Sequence, residues 1–174
     1  MTYLLSVDPG RKSAIAVWND DTDLLHVGRI DGMEPRIIYD LLRNLTGDGS
    51  IFGIQKWKVI VEGQWFRLPT MRNGRKVYHS ADFKSVSKVV ESRAYWIAAA
   101  KILCLDTEII DPGVWIPAMT RGAPGETPDA RIKWAVKQRF QERKIIADEN
   151  AAVLMGIFYS NKQKKGVTDE NKEI

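Results

Sequence analysis

Three carboxylates stand at the boundaries of predicted elements. Asp8 and Glu62 each end a short apolar run, and Asp148 opens a third. A carboxylate at the end of a buried strand is poorly solvated, so it needs a cation, a proton or a hydrogen-bond partner. Several converging carboxylates in an otherwise basic protein point to a hard divalent metal, with phosphate as the other partner.

Each of these carboxylates also has a plainer interpretation. Asp8 precedes Pro9 and Gly10 and could serve only a turn. Glu62 could be a strand-end charge directed to solvent, and Asp148 could be a helix N-cap. The three gain weight together, because Asp8 and Glu62 are expected to end adjacent strands at one edge, beside the first turn of a helix that opens at Asp148.

Charge is distributed unevenly along the 174 residues, whose formal net charge is +4. Residues 1–64 carry seven basic and nine acidic side chains, whereas residues 65–101 carry eight basic and two acidic ones. Positive charge therefore begins just after the second carboxylate. Such a flank would steer a polyanion towards an acidic pocket.

The composition fits a single domain outside the membrane. The apolar stretches are too short or too charged to span a bilayer, and the first residues lack the features of a signal peptide. The one cysteine, Cys104, is flanked by apolar residues and is expected in the core. These features fit a reducing cytoplasm, that of a bacterium or a phage-infected host cell.

Apolar periodicity and turn signals predict an α/β domain with a mixed sheet. Residues 1–161 are assigned to this domain, and the charged tail 162–174 is expected to be disordered. The first two strands form an antiparallel hairpin, and the strand at 58–62 should be parallel to a neighbour. Strands are predicted at 3–8, 12–18, 24–30, 58–62 and 107–110, helices at 34–45, 81–103, 129–141 and 148–161, and loops at 66–79 and 121–128. The inward face of the helix at 81–103 is predicted to carry Phe83, Val86, Val90, Ala94, Ile97 and Ala98.

The motifs resemble those of RuvC-type Holliday junction resolvases, nucleases of the RNase H-like and integrase superfamily. Asp-Pro-Gly at 8–10 is similar to their opening motif, and Val-Ile-Val-Glu-Gly-Gln at 59–64 to their middle motif. Asp-Glu-Asn-Ala-Ala at 148–152 resembles the last motif of RuvC-like nuclease domains, in the form found in transposon-encoded and RNA-guided nucleases. The resemblance spans residues 3 to about 160, and it suggests a free-standing phage or mobile-element version.

The resemblance implies an RNase H-like fold, with a mixed five-stranded sheet flanked by helices. It implies that Asp8, Glu62 and Asp148 are catalytic metal ligands for two Mg²⁺ or Mn²⁺ ions, roughly 3.5–4 Å apart. The expected activity is endonucleolytic hydrolysis at four-way or branched DNA in recombination and repair, leaving a 5′-phosphate and a 3′-hydroxyl. The family acts as a homodimer, so a homodimer is expected here.

One position departs from the family pattern. The resolvases carry a carboxylate or histidine three residues before the last aspartate, where this chain has Ile145. Glu149 is the nearest substitute, although it points about 100° around the helix from Asp148 and could simply complement the helix dipole. Glu142 is another candidate, and a site without a fourth ligand is a third possibility.

The resemblance also suggests DNA contacts. An aromatic residue three positions after the middle glutamate wedges against bases in the resolvases, and Trp65 takes that position, followed by Phe66. Either ring could instead pack as core. The expected phosphate contacts are basic residues that could otherwise be plain solvated charge: Arg67, Arg72, Arg75, Lys76, Arg131, Lys133 and Lys137.

Two other functions fit the same sequence. An RNase H-type or RNA-guided nuclease would share the fold and metal site and act on an RNA–DNA hybrid, although the chain leaves no room for guide-binding domains. A DNA-binding module with a degenerate site would account for Ile145.

Overall fold

The computed structural model confirms an α/β architecture. It describes residues 2–20, 22–47, 56–63, 70–72, 75–77, 83–141, 145 and 149–170. Within these ranges the strands are β1 (Thr2–Asp8), β2 (Lys12–Trp18), β3 (Leu24–Asp31), β4 (Lys56–Glu62), β5 (Thr70–Arg72), β6 (Arg75–Val77) and β7 (Asp106–Ile110). The helices are α1 (Pro35–Thr46), α2 (Phe83–Ile102), α3 (Pro112–Met119), α4 (Pro128–Arg139) and α5 (Asn150–Glu170).

Five strands form the mixed sheet that the sequence predicts, in the order β3-β2-β1-β4-β7. β1 and β2 are antiparallel, as are β2 and β3, because tight turns join them. β4 follows the crossover through α1 and pairs in parallel with both β1 and β7. The carboxyl ends of β1, β4 and β7 therefore meet at one edge of the sheet.

Both faces of the sheet are covered by helices, so its central strands are apolar on both sides. On β1, Leu5 and Val7 pack in the cluster that includes α1 and α2. Leu4, on the opposite face, packs with residues of α3, α4 and α5. Because strand side chains alternate, Ser6 and Asp8 lie on the α3–α5 face.

α5 packs against the sheet without room for a side chain at its contact point. Trp18 Nε1 donates to Ser6 Oγ at 3.2 Å, and Ser6 Oγ donates to the Ala152 carbonyl at 2.7 Å. A Cβ on Gly156 would lie 2.1 Å from Trp18 Nε1. Glycine at this position therefore lets the helix backbone rest on the indole, and the serine fixes its first turn.

The predicted inward face of α2 is wrong at two of its six residues. Ile97 packs against the core cluster, Val86 and Val90 are half-buried, and the side chain of Phe83 lies outside the described part. Ala94 and Ala98 are exposed, whereas Trp96 has no exposed surface. Apolar residues surround much of this helix, so periodicity alone does not select a face. On the buried side the polar atom of Trp96 has a partner: the indole donates to Ser13 Oγ at 3.0 Å.

Cys104 is exposed, which corrects its assignment to the core. It adopts φ +54° just after α2. Its amide donates to the Lys101 carbonyl at 3.0 Å, and the Leu105 amide donates to the Ala100 carbonyl at 2.9 Å. The chain reverses through the left-handed region at this helix end, so Cys104 turns outward while Leu105 packs against the core.

The last helix continues to Glu170, beyond the predicted end near Asn161. The predicted disorder of the tail is therefore corrected for residues 162–170, which are helical. Lys162 Nζ contacts Glu108 Oε1 at 3.3 Å, and Gln163 Nε2 donates to the Tyr159 hydroxyl at 2.8 Å. These contacts hold the turn after 161, and lysine and glutamine are good helix formers. None of the helices in the described ranges has the length and hydropathy needed to cross a membrane.

Candidate active site

Two of the predicted catalytic carboxylates lie side by side. Val7 of β1 pairs in parallel with Val61 of β4, so Asp8 and Glu62 follow at the same level. Both lie on the α3–α5 face, because Ile60, two residues before Glu62, packs in that cluster. Asp8 is partly buried, and Glu62 is only 5% exposed. The predicted convergence of these two strand ends is thus confirmed.

A buried tryptophan holds the Glu62 carboxylate. Trp115 Nε1 donates to Glu62 Oε1 at 3.1 Å, and the indole has no exposed surface. Trp115 lies on α3, which begins directly after β7 because the Asp111 carboxylate caps it, accepting from Gly113 N at 2.7 Å. A buried carboxylate needs such donors. This helix is absent from the elements predicted from the sequence, although Asp111-Pro112 is a helix-start signal.

The turn after Asp8 is anchored to α2 by two buried serines. The Gly10 amide donates to Ser92 Oγ at 3.2 Å, and the two hydroxyls of Ser13 and Ser92 are 3.1 Å apart. Trp96 Nε1 closes the network on Ser13. Satisfied buried networks of this kind hold one geometry. The first carboxylate is therefore presented by a turn with fixed ends.

A cavity of about 390 Å³ opens beside Asp8. It joins the β1–β2 turn to the first turns of α4 and α5. Its described lining comprises Asp8, Lys12, Asp129, Ala130, Ile132, Lys133, Asn150 and Ala151. The cavity therefore combines two carboxylates, Asp8 at a strand end and Asp129 on α4, with two lysines that could bind an anion.

The start of α5 carries the remaining ligand candidates. Asp148, the predicted third ligand, and Glu142 lie outside the described residues. Glu149 is 8% exposed and is not among the described residues that line the cavity, whereas Asn150 is. Ile145 packs against the apolar cluster, as a residue without a ligand role would. Asn150 was missed as a site residue, although it is the asparagine of the Asp-x-Asn-Ala-Ala motif.

The side-chain oxygens at this site are of the kind that a hard cation prefers as ligands. Asp8, Glu62 and Asn150 offer carboxylate and carboxamide oxygens, which Mg²⁺ and Ca²⁺ prefer. Within the described part of the chain, no three His, Cys, Asp or Glu residues are grouped closely enough to hold a metal ion. The metal site as predicted needs Asp148 in addition to the described pair.

The predicted DNA contacts divide into three groups. Trp65, Phe66 and Arg67 lie outside the described residues. Arg72, Arg75 and Lys76 belong to the β5–β6 hairpin, within the predicted loop, and their side chains lie outside the described part. The third group is on α4, where these basic side chains are exposed: Arg131, Lys133 and Lys137.

One basic residue of α4 also has a structural partner. Arg131 Nε donates to the Gly125 carbonyl at 2.8 Å, so its guanidinium is held against the loop before α4. Gly125 has φ +122°, a conformation that favours glycine. Lys133, two residues on, lines the cavity beside Asp8. The basic face of α4 thus reaches the candidate active site.

A second polar cluster lies at the opposite edge of the sheet. Lys58 Nζ contacts Asp106 Oδ2 at 2.8 Å and Glu108 Oε2 at 3.5 Å. Burial lowers the pKa of Lys58, but the hydrogen bond to Asp106 and the nearby Tyr159 outweigh it, so the pKa is raised. Burial is also the main cause of the raised pKa of Tyr159. This cluster joins β4, β7 and α5 away from the strand ends that carry the carboxylates.

Comparison with known proteins identifies the fold. The RuvC protein of T. thermophilus in complex with a Holliday junction substrate superposes with a TM-score of 0.63 at 12% identity, covering 95% of this chain and 97% of that chain. A structure of Thermus thermophilus RuvC gives 0.60 at 16% identity, with 94% and 96% covered. The yeast mitochondrial Holliday junction resolvase Ydc2 gives 0.50 at 12% identity, with 98% and 83% covered. No family model and no curated protein sequence matches the chain. The chain has a RuvC-like, RNase H-like fold.

Proposed function

We propose that this chain is a divalent-metal-dependent endonuclease that cleaves four-way or branched DNA by phosphodiester hydrolysis. The observation that carries the proposal is the pair of Asp8 and Glu62 at one sheet edge, beside a cavity that also contains Lys133. Two neighbours in fold are named for Holliday junctions, one by its bound substrate and one by its activity. The site and the fold support the same chemistry.

In the proposed site, basic residues would bind the phosphate and acidic residues would bind the metal ions. Lys12 and Lys133, which both line the cavity, would bind the phosphate that enters it. Asp8 and Glu62, with Asp148 from the last motif, would hold Mg²⁺ or Mn²⁺. Two such ions, when bound, activate water and stabilise the leaving oxygen of a phosphodiester.

The protein scaffold would contribute preorganisation. Trp115 fixes one oxygen of Glu62, and the Ser92 hydroxyl fixes the backbone after Asp8. Donors and acceptors that are already oriented need not reorganise during the reaction. Two such sites in a homodimer would cut two strands of a four-way junction, so a homodimer is part of the proposal.

The decisive experiment uses a labelled four-way junction, a linear duplex of the same sequence and an RNA–DNA hybrid. We expect cleavage of the junction with Mg²⁺ or Mn²⁺ and none in EDTA. Asp8→Asn and Glu62→Gln should abolish cleavage and retain junction binding, because the basic contacts remain. Asp111→Asn is the matched control: its carboxylate follows β7 at the same edge but caps α3, and asparagine caps equally well.

Four results would contradict the proposal. Full activity in EDTA would exclude the metal mechanism. Normal cutting by Asp8→Asn would mean that the site lies elsewhere. Cleavage of the hybrid alone would identify an RNase H-type nuclease, and junction binding without cleavage in any metal would identify a degenerate, DNA-binding module.

A further inference from the structure

Trp134 differs from the other tryptophans of the described structure. Its side chain is 38% exposed, on α4. Trp18, Trp57, Trp96 and Trp115 are each at most 5% exposed and belong to the core. An exposed indole leaves a large ring in water, and tryptophan is enriched at interaction sites.

The neighbours of Trp134 on the helix are cationic or polar. Residues three and four positions apart share a helix face, which places Arg131 and Lys137 on either side of the indole and Gln138 beside it. All three are exposed. An apolar protein partner would have to bury these charges with the indole, at a cost that an anionic partner avoids. The surroundings favour a partner with flat rings and negative charge.

Trp134 lies one helical turn from a residue that lines the candidate active site. Ala130, one turn before Trp134 on the same face, lines the cavity that contains Asp8. Helical side chains lean towards the N-terminus, so we expect the Trp134 side chain to lean towards Ala130. Trp134 is four residues from Ala130, which is about 6 Å along the helix axis. Two successive nucleotides of a stacked strand span a similar distance, about 7 Å.

We propose that Trp134 stacks on an unpaired base of the strand whose phosphate occupies the cavity, with Arg131 and Lys137 on the flanking phosphates. This inference rests on the proposed function, because it takes the cavity as the phosphate site. It adds a stacking contact on α4, separate from the predicted contact of Trp65. Only a base that is not stacked within a duplex can stack on the indole, so Trp134 would favour junctions and single strands over linear duplex.

The test measures binding in EDTA, so that it does not depend on cleavage. The probes are a labelled oligothymidylate, a four-way junction and a linear duplex at matched salt. Trp134→Ala should weaken oligothymidylate and junction binding by about 5- to 150-fold and change duplex binding by less than twofold. Trp134→Phe should retain part of the affinity, because a ring remains.

Two control variants separate stacking from charge and from folding. Gln138→Ala lies on the same face without a ring and should bind like the wild type. Lys137→Ala should weaken binding to all three probes alike, with a flatter salt dependence. Since alanine is a good helix former, Trp134→Ala should keep the wild-type melting temperature.

Equal losses on duplex and oligothymidylate, or no loss on either, would overturn the stacking role. A change in oligomeric state in Trp134→Ala would instead assign the indole to a protein interface. Normal metal-dependent cleavage by a Trp134→Ala variant with unchanged affinity would refute this inference alone. If Trp134→Ala selectively loses single-strand binding but the wild-type protein never cleaves DNA, the stacking role would stand and the proposed nuclease activity would be refuted.

Discussion

Replacing Gly156 by alanine should destabilise the protein, although alanine is the better helix former. At an open helix position the same change stabilises by roughly 1 kcal/mol. In α5 the new Cβ would lie 2.1 Å from Trp18 Nε1, whereas an ordinary contact is about 3.5 Å. Either the helix or the indole must therefore move by more than about 1 Å.

The indole has little freedom to move. It is buried, it donates to Ser6, and its ring packs against Phe140 with centroids 6.2 Å apart. Overpacking costs about 1–3 kcal/mol, and losing the Trp18–Ser6 hydrogen bond would add about 1 kcal/mol. After the gain in helix propensity, we expect the free energy of unfolding to fall by about 1–3 kcal/mol. Because Ser6 also holds Ala152, displacing α5 should move the start of that helix and lower cleavage.

The measurement is urea unfolding of a double-mutant cycle. In a Trp18→Leu background the two atoms nearest the added methyl, Nε1 and Cε2 of the indole, are absent. Gly156→Ala should then cost less, with a coupling of about 0.5–3 kcal/mol. An unchanged or increased stability of Gly156→Ala, or an equal cost in both backgrounds, would refute the claim that Trp18 limits the approach of α5.

Three further predictions concern the supports of the site and the pH dependence. Ser92→Ala should lower the free energy of unfolding by about 1 kcal/mol, because the partly buried Gly10 amide keeps only its longer hydrogen bond to Ser13 Oγ, 3.4 Å, and a urea titration and a cleavage assay should both detect the loss. Trp115→Phe removes a hydrogen bond to the Glu62 carboxylate, so stability should fall by about 1.5–3 kcal/mol and cleavage should fall with it; unchanged cleavage at reduced stability would make the contact purely structural. The raised pKa of Lys58 contributes stability that is complete below its ordinary value of 10.5 and is lost as pH rises through the folded-state value, so melting temperature should fall more steeply above pH 10.5 in the wild type than in Lys58→Met.

Local patterns in the sequence predicted the central strands well. β2 runs over the predicted residues 12–18, and β1 and β4 end at the predicted carboxylates, Asp8 and Glu62. Apolar runs bounded by turn residues predict such strands, because burial on both faces requires apolar residues and the turn Asp-Pro-Gly acts locally. The mixed sheet follows from these elements, and the likeness to RuvC confirms the fold. The metal ions, the third ligand, the homodimer and the DNA contacts remain predictions.

The sequence by itself determined where the two carboxylates stand, because strand ends and turns depend on neighbouring residues. It did not determine what holds them. Trp115 reaches Glu62 from 53 residues away, through a short helix that contains Pro117 and lacks a clear period, and Ser92 reaches Gly10 across 82 residues. The buried side of α2, the exposure of Cys104 and the outward position of Trp134 were likewise decided by packing between distant elements, since the same local patterns are compatible with more than one face.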